Sequence, residues 1–269
     1  MFEYAQSAPL NVSEASSEAR GEVTVKDIAY PSPVDGKPIA AYLVLPAGNG
    51  PFPAVLFAHW YEPAAATSNR TEFLDEAVGL AREGVASLLV STMWSDPDWY
   101  TKGRTLASDY DDAVKQVVEL RRGLDVLAAQ PQVNAVCIAY VGHDFGAMYG
   151  SLLASTDRRP IAYVLIAGAS NFNKWMLFGV DPEQAGLDAY RARMDALAPT
   201  HFVSGAAPAP LLFQFGTEDT YTPAEDYNAF FAAASTPRHL SVYSAEHSMA
   251  LPEIQADRRA FLRLHLGLA

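Results

Sequence analysis

Cysteine is nearly absent from this chain. Cys137 is the only one in 269 residues, which excludes an intramolecular disulfide. It lies in the apolar run 136–141 and reads as a small buried core residue. Positive charge is also scarce, with 19 Lys and Arg against 31 Asp and Glu and a net charge of −12. That balance argues against a nucleic acid or an anionic membrane as partner. No stretch has 18 consecutive apolar residues, so no transmembrane helix is expected. The first residues include Glu3 and have neither the basic nor the apolar region of a secretory leader, so a cytoplasmic protein is expected. There is no phosphate-cradling glycine loop and no metal-ligand cluster, so no cofactor is expected.

Half of the residues are apolar and 19% are charged. The length suits one α/β domain with a large core. Residues 1–20 are small and polar and read as a flexible arm; 21–269 read as the domain. Two runs, 23–25 and 39–45, flank a turn with Pro31, Pro33, Asp35 and Gly36, as in an antiparallel entry. Short apolar runs follow at 54–58, 86–90, 136–141, 161–167, 211–215 and 240–243, the pattern of strands buried on both faces. Helices are predicted near 70–83, 106–129, 145–155, 183–196, 223–234 and 253–265. The longest is read from Leu106, Tyr110, Val114, Val117, Leu120, Leu124 and Leu127, spaced by threes and fours. Alternation of this kind predicts about eight strands, mostly parallel, with helices on both faces. The segment 171–209 is a short insertion, smaller than a full cap domain.

Residues 142–146 read Gly-His-Asp-Phe-Gly between a strand and a small-residue helix start. This is the G-x-S-x-G nucleophile elbow with aspartate in the serine position. Glycine at 142 and 146 allows the sharp turn, and Gly150 allows close packing one helical turn later. Such an elbow throws the side chain of Asp144 clear of the sheet, while that of the adjoining His143 should point away from its tip. A nucleophile needs a base, and the base an orienting acid, in the chain order nucleophile, acid, histidine. Asp219 follows the strand 211–215, and His247 follows the last strand. All three residues fall on loops at the carboxyl edge of the sheet, where open α/β folds bind ligands. His59 and Trp60 end the strand 54–58. The loop there supplies one oxyanion-hole N–H in this architecture, so Trp60 and Phe145 are the expected donors, with His59 beside them.

These residues resemble the α/β-hydrolase superfamily and, within it, the dienelactone-hydrolase-like group, over roughly 22–268. The likeness rests on Pro51-Phe52-Pro53-Ala54-Val55-Leu56 before His59, the elbow, Leu212 to Asp219, and His247. That group carries Ser or Cys at the elbow and hydrolyses esters or lactones. A Gly-His-Asp-x-Gly elbow is instead similar to that of epoxide hydrolases and haloalkane dehalogenases. Those enzymes commonly place Trp where this chain has Phe145, and they carry a larger cap.

Aspartate changes the chemistry available. Attack of Asp144 on an ester carbonyl gives an adduct that prefers to expel the carboxylate again. A carboxylic acid titrates near ~4 and water, a guide to alcohols, near ~15.7, a bias of roughly 12 units or about 16 kcal/mol. Attack on a saturated carbon bearing halide or strained oxygen has no such return path and gives an alkyl ester of Asp144. His247, oriented by Asp219, would then activate water against that ester. Halide would want indole or amide N–H donors and epoxide oxygen a tyrosine hydroxyl. Tyr61, Trp94, Trp99, Trp175 and Tyr190 are the candidate wall and donor residues, and they favour a small, mostly apolar substrate.

Three readings follow. The first is a hydrolase with an Asp144 nucleophile acting on an epoxide or haloalkane. The second is an ester or lactone hydrolase with Asp144 in a non-nucleophilic role such as base. The third is a non-catalytic binding protein on the same fold. The expected partner is a small-molecule substrate alone. A homodimer through a sheet edge or helix face is left open.

Overall fold

The structure, a computed structural model, describes residues 1–268. Among them, nine strands form one sheet: β1 (Ser13–Arg20), β2 (Val23–Pro31), β3 (Pro38–Leu45), β4 (Phe52–Ala58), β5 (Ala86–Val90), β6 (Val133–His143), β7 (Pro160–Ile166), β8 (Leu211–Gly216) and β9 (Arg238–Tyr243). Their spatial order is β1-β2-β3-β5-β4-β6-β7-β8-β9. The first three strands and the β3–β5 pair are antiparallel, and all pairs from β5 to β9 are parallel. The helices are α1 (Leu74–Ala81), α2 (Asp109–Ala128), α3 (Phe145–Thr156), α4 (Asn173–Met176), α5 (Leu187–Asp195), α6 (Pro199–Phe202), α7 (Ala224–Ala233) and α8 (Pro252–His265).

Strand periodicity divides the core in two. In β4, Leu56 and Ala58 pack with Leu120 and Leu124 of α2 and Leu152 of α3. Their neighbours Val55 and Phe57 face the other way, with Ala77 and Leu80 of α1 and Ile254 and Leu262 of α8. A sheet covered on both faces explains why its central strands read as unbroken apolar runs.

The N-terminal segment departs from the expected flexible arm. Ser13–Arg20 pairs with β2 from Ser13↔Ala29 to Arg20↔Val23, with a register shift between Glu14 and Ser16. This ninth strand is exposed along nearly all its length. Its side chains carry no apolar alternation, because it is held by backbone hydrogen bonds, which do not depend on side-chain polarity. Ahead of it, Phe2 is buried. Its carbonyl accepts from Arg121 Nη1 at 2.5 Å, while Arg122 Nη2 donates to the carbonyls of Ala8 and Pro9 at 3.0 and 2.6 Å.

The carboxyl ends of β4, β6, β8 and β9 open onto one rim. The insertion between β7 and β8 carries α4, α5 and α6; Trp175 of α4 reaches the rim, whereas α6 lies by the far end of α3, where the Phe202 carbonyl accepts from Ser155.

Candidate active site

Asp144 stands alone between the end of β6 and the start of α3, at φ 58° and ψ −120°. This is a strained backbone for a residue with a Cβ, and such strain gathers at functional sites. The elbow holds it. Asp144 N–H donates to the Ile166 carbonyl at 2.8 Å, and its own carbonyl accepts from Ala147 and Met148. The flanking glycines make room: a Cβ on Gly142 would strike the Gly146 carbonyl, and one on Gly146 the carbonyl of Ala58.

The Asp144 carboxylate is buried. Its Oδ2 accepts the backbone N–H of Tyr61 at 2.7 Å. Oδ2 also lies 3.9 Å from His247 Nε2. Among the described residues Oδ1 has no hydrogen-bond partner. Phe145 opens α3, so its N–H has no intrahelical acceptor and stands beside the elbow.

His247 Nδ1 lies 2.8 Å from Asp219 Oδ2. Asp219 Oδ1 accepts the N–H groups of Tyr221 and Thr222 at 2.8 and 3.2 Å, and the Thr222 hydroxyl donates to Oδ2. Burial opposes the charge on Asp219, yet its bond to His247 and these donors outweigh it and hold the carboxyl below its ordinary range. Burial likewise opposes a charged His247, but the carboxylates of Asp144 and Asp219 on either side win, raising it from 6.5 to about 10. His247 is therefore an imidazolium at neutral pH.

A cavity of about 270 Å³ opens above these groups, with Asp144, Phe145 and His247 at its base and Tyr61, Tyr100, Trp175, Phe178 and Tyr221 around it. Most of its donors are engaged elsewhere. Tyr61 Oη donates to the Pro97 carbonyl and Tyr100 Oη to those of Trp175 and Phe178. Trp175 Nε1 points to the Tyr221 carbonyl at 3.3 Å. The Tyr221 hydroxyl has no partner among the described residues, and its ring centroid is 4.9 Å from that of His247.

The structure brings Asp144, Asp219, His247, Tyr61, Phe145 and Trp175 to one place. It sets the others apart. The Trp60 N–H donates to Glu72 Oε2 at 2.7 Å and not toward Asp144, so the donor from this loop is Tyr61, one residue later. His59 is buried behind the rim, with Nδ1 on the Trp60 carbonyl at 2.7 Å and Nε2 near Ser95 and Thr92. Burial pushes it down to about 4, so it is neutral. Trp94 is fully buried and gives its indole N–H to the His59 carbonyl at 2.9 Å. Trp99 supports the wall from behind, its ring edge-on to Phe145 at 5.3 Å. Tyr190 bonds to Asp109, away from the cavity. Tyr100, Phe178 and Tyr221 are additional lining residues. Their only signal in the sequence is their position, on the loop after β5, in the insertion and two residues past Asp219.

Among the described residues, no group of three or more His, Cys, Asp or Glu side chains could hold a metal ion. No helix among the described residues is long and apolar enough to cross a membrane.

No protein-family model matches the chain, and no curated protein matches it in sequence. Solved structures do match. An acetyl xylan esterase from Paenibacillus sp. R4 aligns at 18% identity with a TM-score of 0.78, over 96% of this chain and 90% of that one. Acetyl xylan esterase 1 from Thermoanaerobacterium sp. aligns at 15% identity and a TM-score of 0.79, over 97% and 89%. A protein assigned as a dienelactone hydrolase, from Klebsiella pneumoniae, aligns at 16% identity and 0.66, over 92% and 99%. At these identities the likeness is one of fold, and the chain has the α/β-hydrolase fold.

Proposed function

We propose that the chain is a hydrolase that cleaves a carbon–oxygen bond in a small, mostly apolar ester or lactone, with Asp144, His247 and Asp219 as its reacting group. The observation that carries this reading is the placement of His247 between two carboxylates, 2.8 Å from one and 3.9 Å from the other. An imidazolium so held is an acid, which leaves the base's role to Asp144. In this reaction Asp144 takes a proton from water as the water oxygen bonds to the substrate carbonyl carbon. The N–H of Phe145 faces the developing oxyanion. His247 then gives its proton to the departing alkoxide as the carbon–oxygen bond breaks, and the proton on Asp144 returns to His247. Protonation of Asp144 removes one of the charges that raise His247, so transfer from its imidazolium to an alkoxide whose acid titrates near ~15.7 is strongly downhill. That supplies the leaving-group assistance which carboxylate attack lacks.

A second reading rests on a different observation. Oδ2 of Asp144 already holds the Tyr61 N–H, while Oδ1 is free. A carboxylate in that state is arranged to attack saturated carbon through Oδ1 and to keep its other oxygen in the oxyanion site as an ester. Esterification removes the Asp144 charge, one of the causes that keep His247 protonated, so His247 becomes available as the base for the second step. Within this reading the site is better equipped to assist an oxygen leaving group than a halide. The indoles of Trp94 and Trp175 are engaged by carbonyls, whereas the Tyr221 hydroxyl is unclaimed.

One experiment separates the two. An aryl ester, a small lactone, a styrene-oxide-type epoxide and a bromoalkane are assayed, and the active substrate is turned over once in heavy-oxygen water. The first reading expects ester or lactone turnover with no label in the 142–150 peptide. Label in that peptide replaces it with the covalent route. Absence of turnover on the whole panel favours a binding protein.

A further inference from the structure

Buried His143 and partly buried Glu72 form a pair behind the site. His143 Nδ1 lies 2.6 Å from Glu72 Oε1, and Nε2 lies 2.9 Å from the backbone carbonyl of His247. The carbonyl can only accept, so Nε2 carries a proton. Nδ1 faces a carboxylate, so a second proton lies between Nδ1 and Oε1. The pair thus holds a shared proton and bonds to the loop that carries His247. Its other oxygen, Oε2, accepts the Trp60 N–H at 2.7 Å. The Trp60 indole lies flat on the His143 ring, centroids 5.2 Å apart and planes 10° apart.

Two successive peptides are therefore held, His59–Trp60 through its N–H and Trp60–Tyr61 through its carbonyl. Glu72 holds the Trp60 N–H, and neutral His59 donates from Nδ1 to the Trp60 carbonyl. In a trans peptide the carbonyl and the following N–H point in opposite directions. Fixing the Trp60 carbonyl on His59 thus aims the Tyr61 N–H at Asp144.

We infer that Glu72 and His143, which share a proton, are positioning residues whose hydrogen bonds lock the Tyr61 donor and the His247 loop into one unit. This rests on the hydrolase reading for its kinetic consequence, since the geometry acts on Asp144 and His247.

Wild type, Glu72→Gln and Glu72→Ala test it. Glutamine preserves every bond: its oxygen accepts the Trp60 N–H, and its amide donates to Nδ1 of a neutral His143 that keeps the proton on Nε2. The expected result is a fall of about 10- to 100-fold in kcat for Glu72→Ala, with KM changed by less than about threefold. Glu72→Gln should stay within about threefold of wild type in both. Equal losses in the two variants, or a loss confined to KM, overturn the proposal. A second measurement needs no substrate. Nitrogen-15 NMR of the resting protein should find a protonated Nε2 with the second proton shared at Nδ1 in wild type, and protonation of Nε2 alone in Glu72→Gln. A wild-type His143 identical to that of Glu72→Gln overturns the proposal, whatever the substrate panel yields. If no substrate is turned over, the hydrolase reading fails while the NMR result still decides the pair. Should Glu72→Ala not fold, the tautomer change and retained kcat of Glu72→Gln carry the test.

Discussion

The backbone N–H of Tyr61 meets Oδ2 of Asp144 at 2.7 Å, across 83 residues of sequence. In a serine hydrolase a donor at this position waits for substrate oxygen. Here one of the chain's own side chains, Asp144, already occupies it. The same bond suits both proposed chemistries: it would orient a base with one free oxygen, or hold the carbonyl of an ester still to form.

Substitution of Asp144 separates its charge from its shape. Asp144→Asn keeps the size and removes the base and the charge beside His247. Ester or lactone turnover should fall by about 10²- to 10⁴-fold, the range for loss of a general acid or base. Asp144→Ser places a hydroxyl at a serine-hydrolase elbow with His247 and Asp219 in place, so aryl-ester turnover should exceed that of Asp144→Asn. Steady-state assays of the purified variants check both, and an Asn variant as active as wild type removes Asp144 from the reaction.

The charge on His247 predicts a pH dependence of stability. Its folded-state value of about 10 lies above the ordinary 6.5. Its contribution is therefore complete below about pH 6.5 and is lost as pH rises through about 10. One proton limits the slope to about 1.4 kcal/mol per pH unit. Melting temperatures between pH 6 and 10, on the order of five points, should decline in wild type and flatten in His247→Gln. Asp219→Asn removes a negative neighbour and so lowers the His247 value. If His247 is the acid, the alkaline limb of kcat/KM moves toward neutrality in that variant.

Much of this was legible in the sequence for a physical reason. Strands covered on both faces must be apolar at every position, so 54–58, 86–90 and 211–215 stand out from their surroundings. The elbow is legible because glycine alone tolerates the approach of Gly146 to Ala58. What stayed hidden depends on backbone direction and on distant partners. Trp60 and Tyr61 are adjacent, and only the directions of their two peptide planes, the first held by Glu72 and the second by His59, decide which N–H faces Asp144. Tyr221 is nearly half exposed in a turn, with no periodicity to mark it. The strand Ser13–Arg20 is polar on both sides and exists only as a ladder on β2.

Tyr221 offers a direct test of the leaving group or oxyanion. Its hydroxyl is the tyrosine O–H of the cavity rim that no carbonyl claims, and its ring packs beside His247. Tyr221→Phe keeps the ring and removes the donor. A fall of about 10-fold or more in kcat at unchanged melting temperature is expected for an oxygen substrate. An unchanged kcat reduces Tyr221 to a wall.

Gly146→Ala should damage the elbow itself. The added Cβ would meet the Ala58 carbonyl, a backbone atom that β4 holds between β5 and β6. Neither strand can yield cheaply, so overpacking should cost about 1–3 kcal/mol or more. A lowered denaturation midpoint together with lost activity is the expected result. A variant with wild-type stability would mean that the elbow has room to open.

Deletion of residues 1–12 tests whether the N-terminal segment belongs to the domain. Arg121 and Arg122 of α2 are both buried. They direct guanidinium N–H groups at the carbonyls of Phe2, Ala8 and Pro9. Truncation takes away those acceptors, strips the Phe2 side chain from the core and unpairs the Tyr4 hydroxyl from Asp125. Part of the loss is recovered, because water can reach the vacated surface and hydrate both guanidinium groups. The remainder combines the apolar burial of Phe2, about 1.5–3 kcal/mol, with hydrogen bonds to charged groups at about 1.5–3 kcal/mol each before hydration. A drop of a few kcal/mol in unfolding free energy is therefore expected from urea denaturation, on the order of a third or more of a typical domain's stability. Activity at low temperature should survive, since none of these residues lines the cavity above Asp144. A truncated protein as stable as the full chain would show that the segment rests on the surface without supporting it.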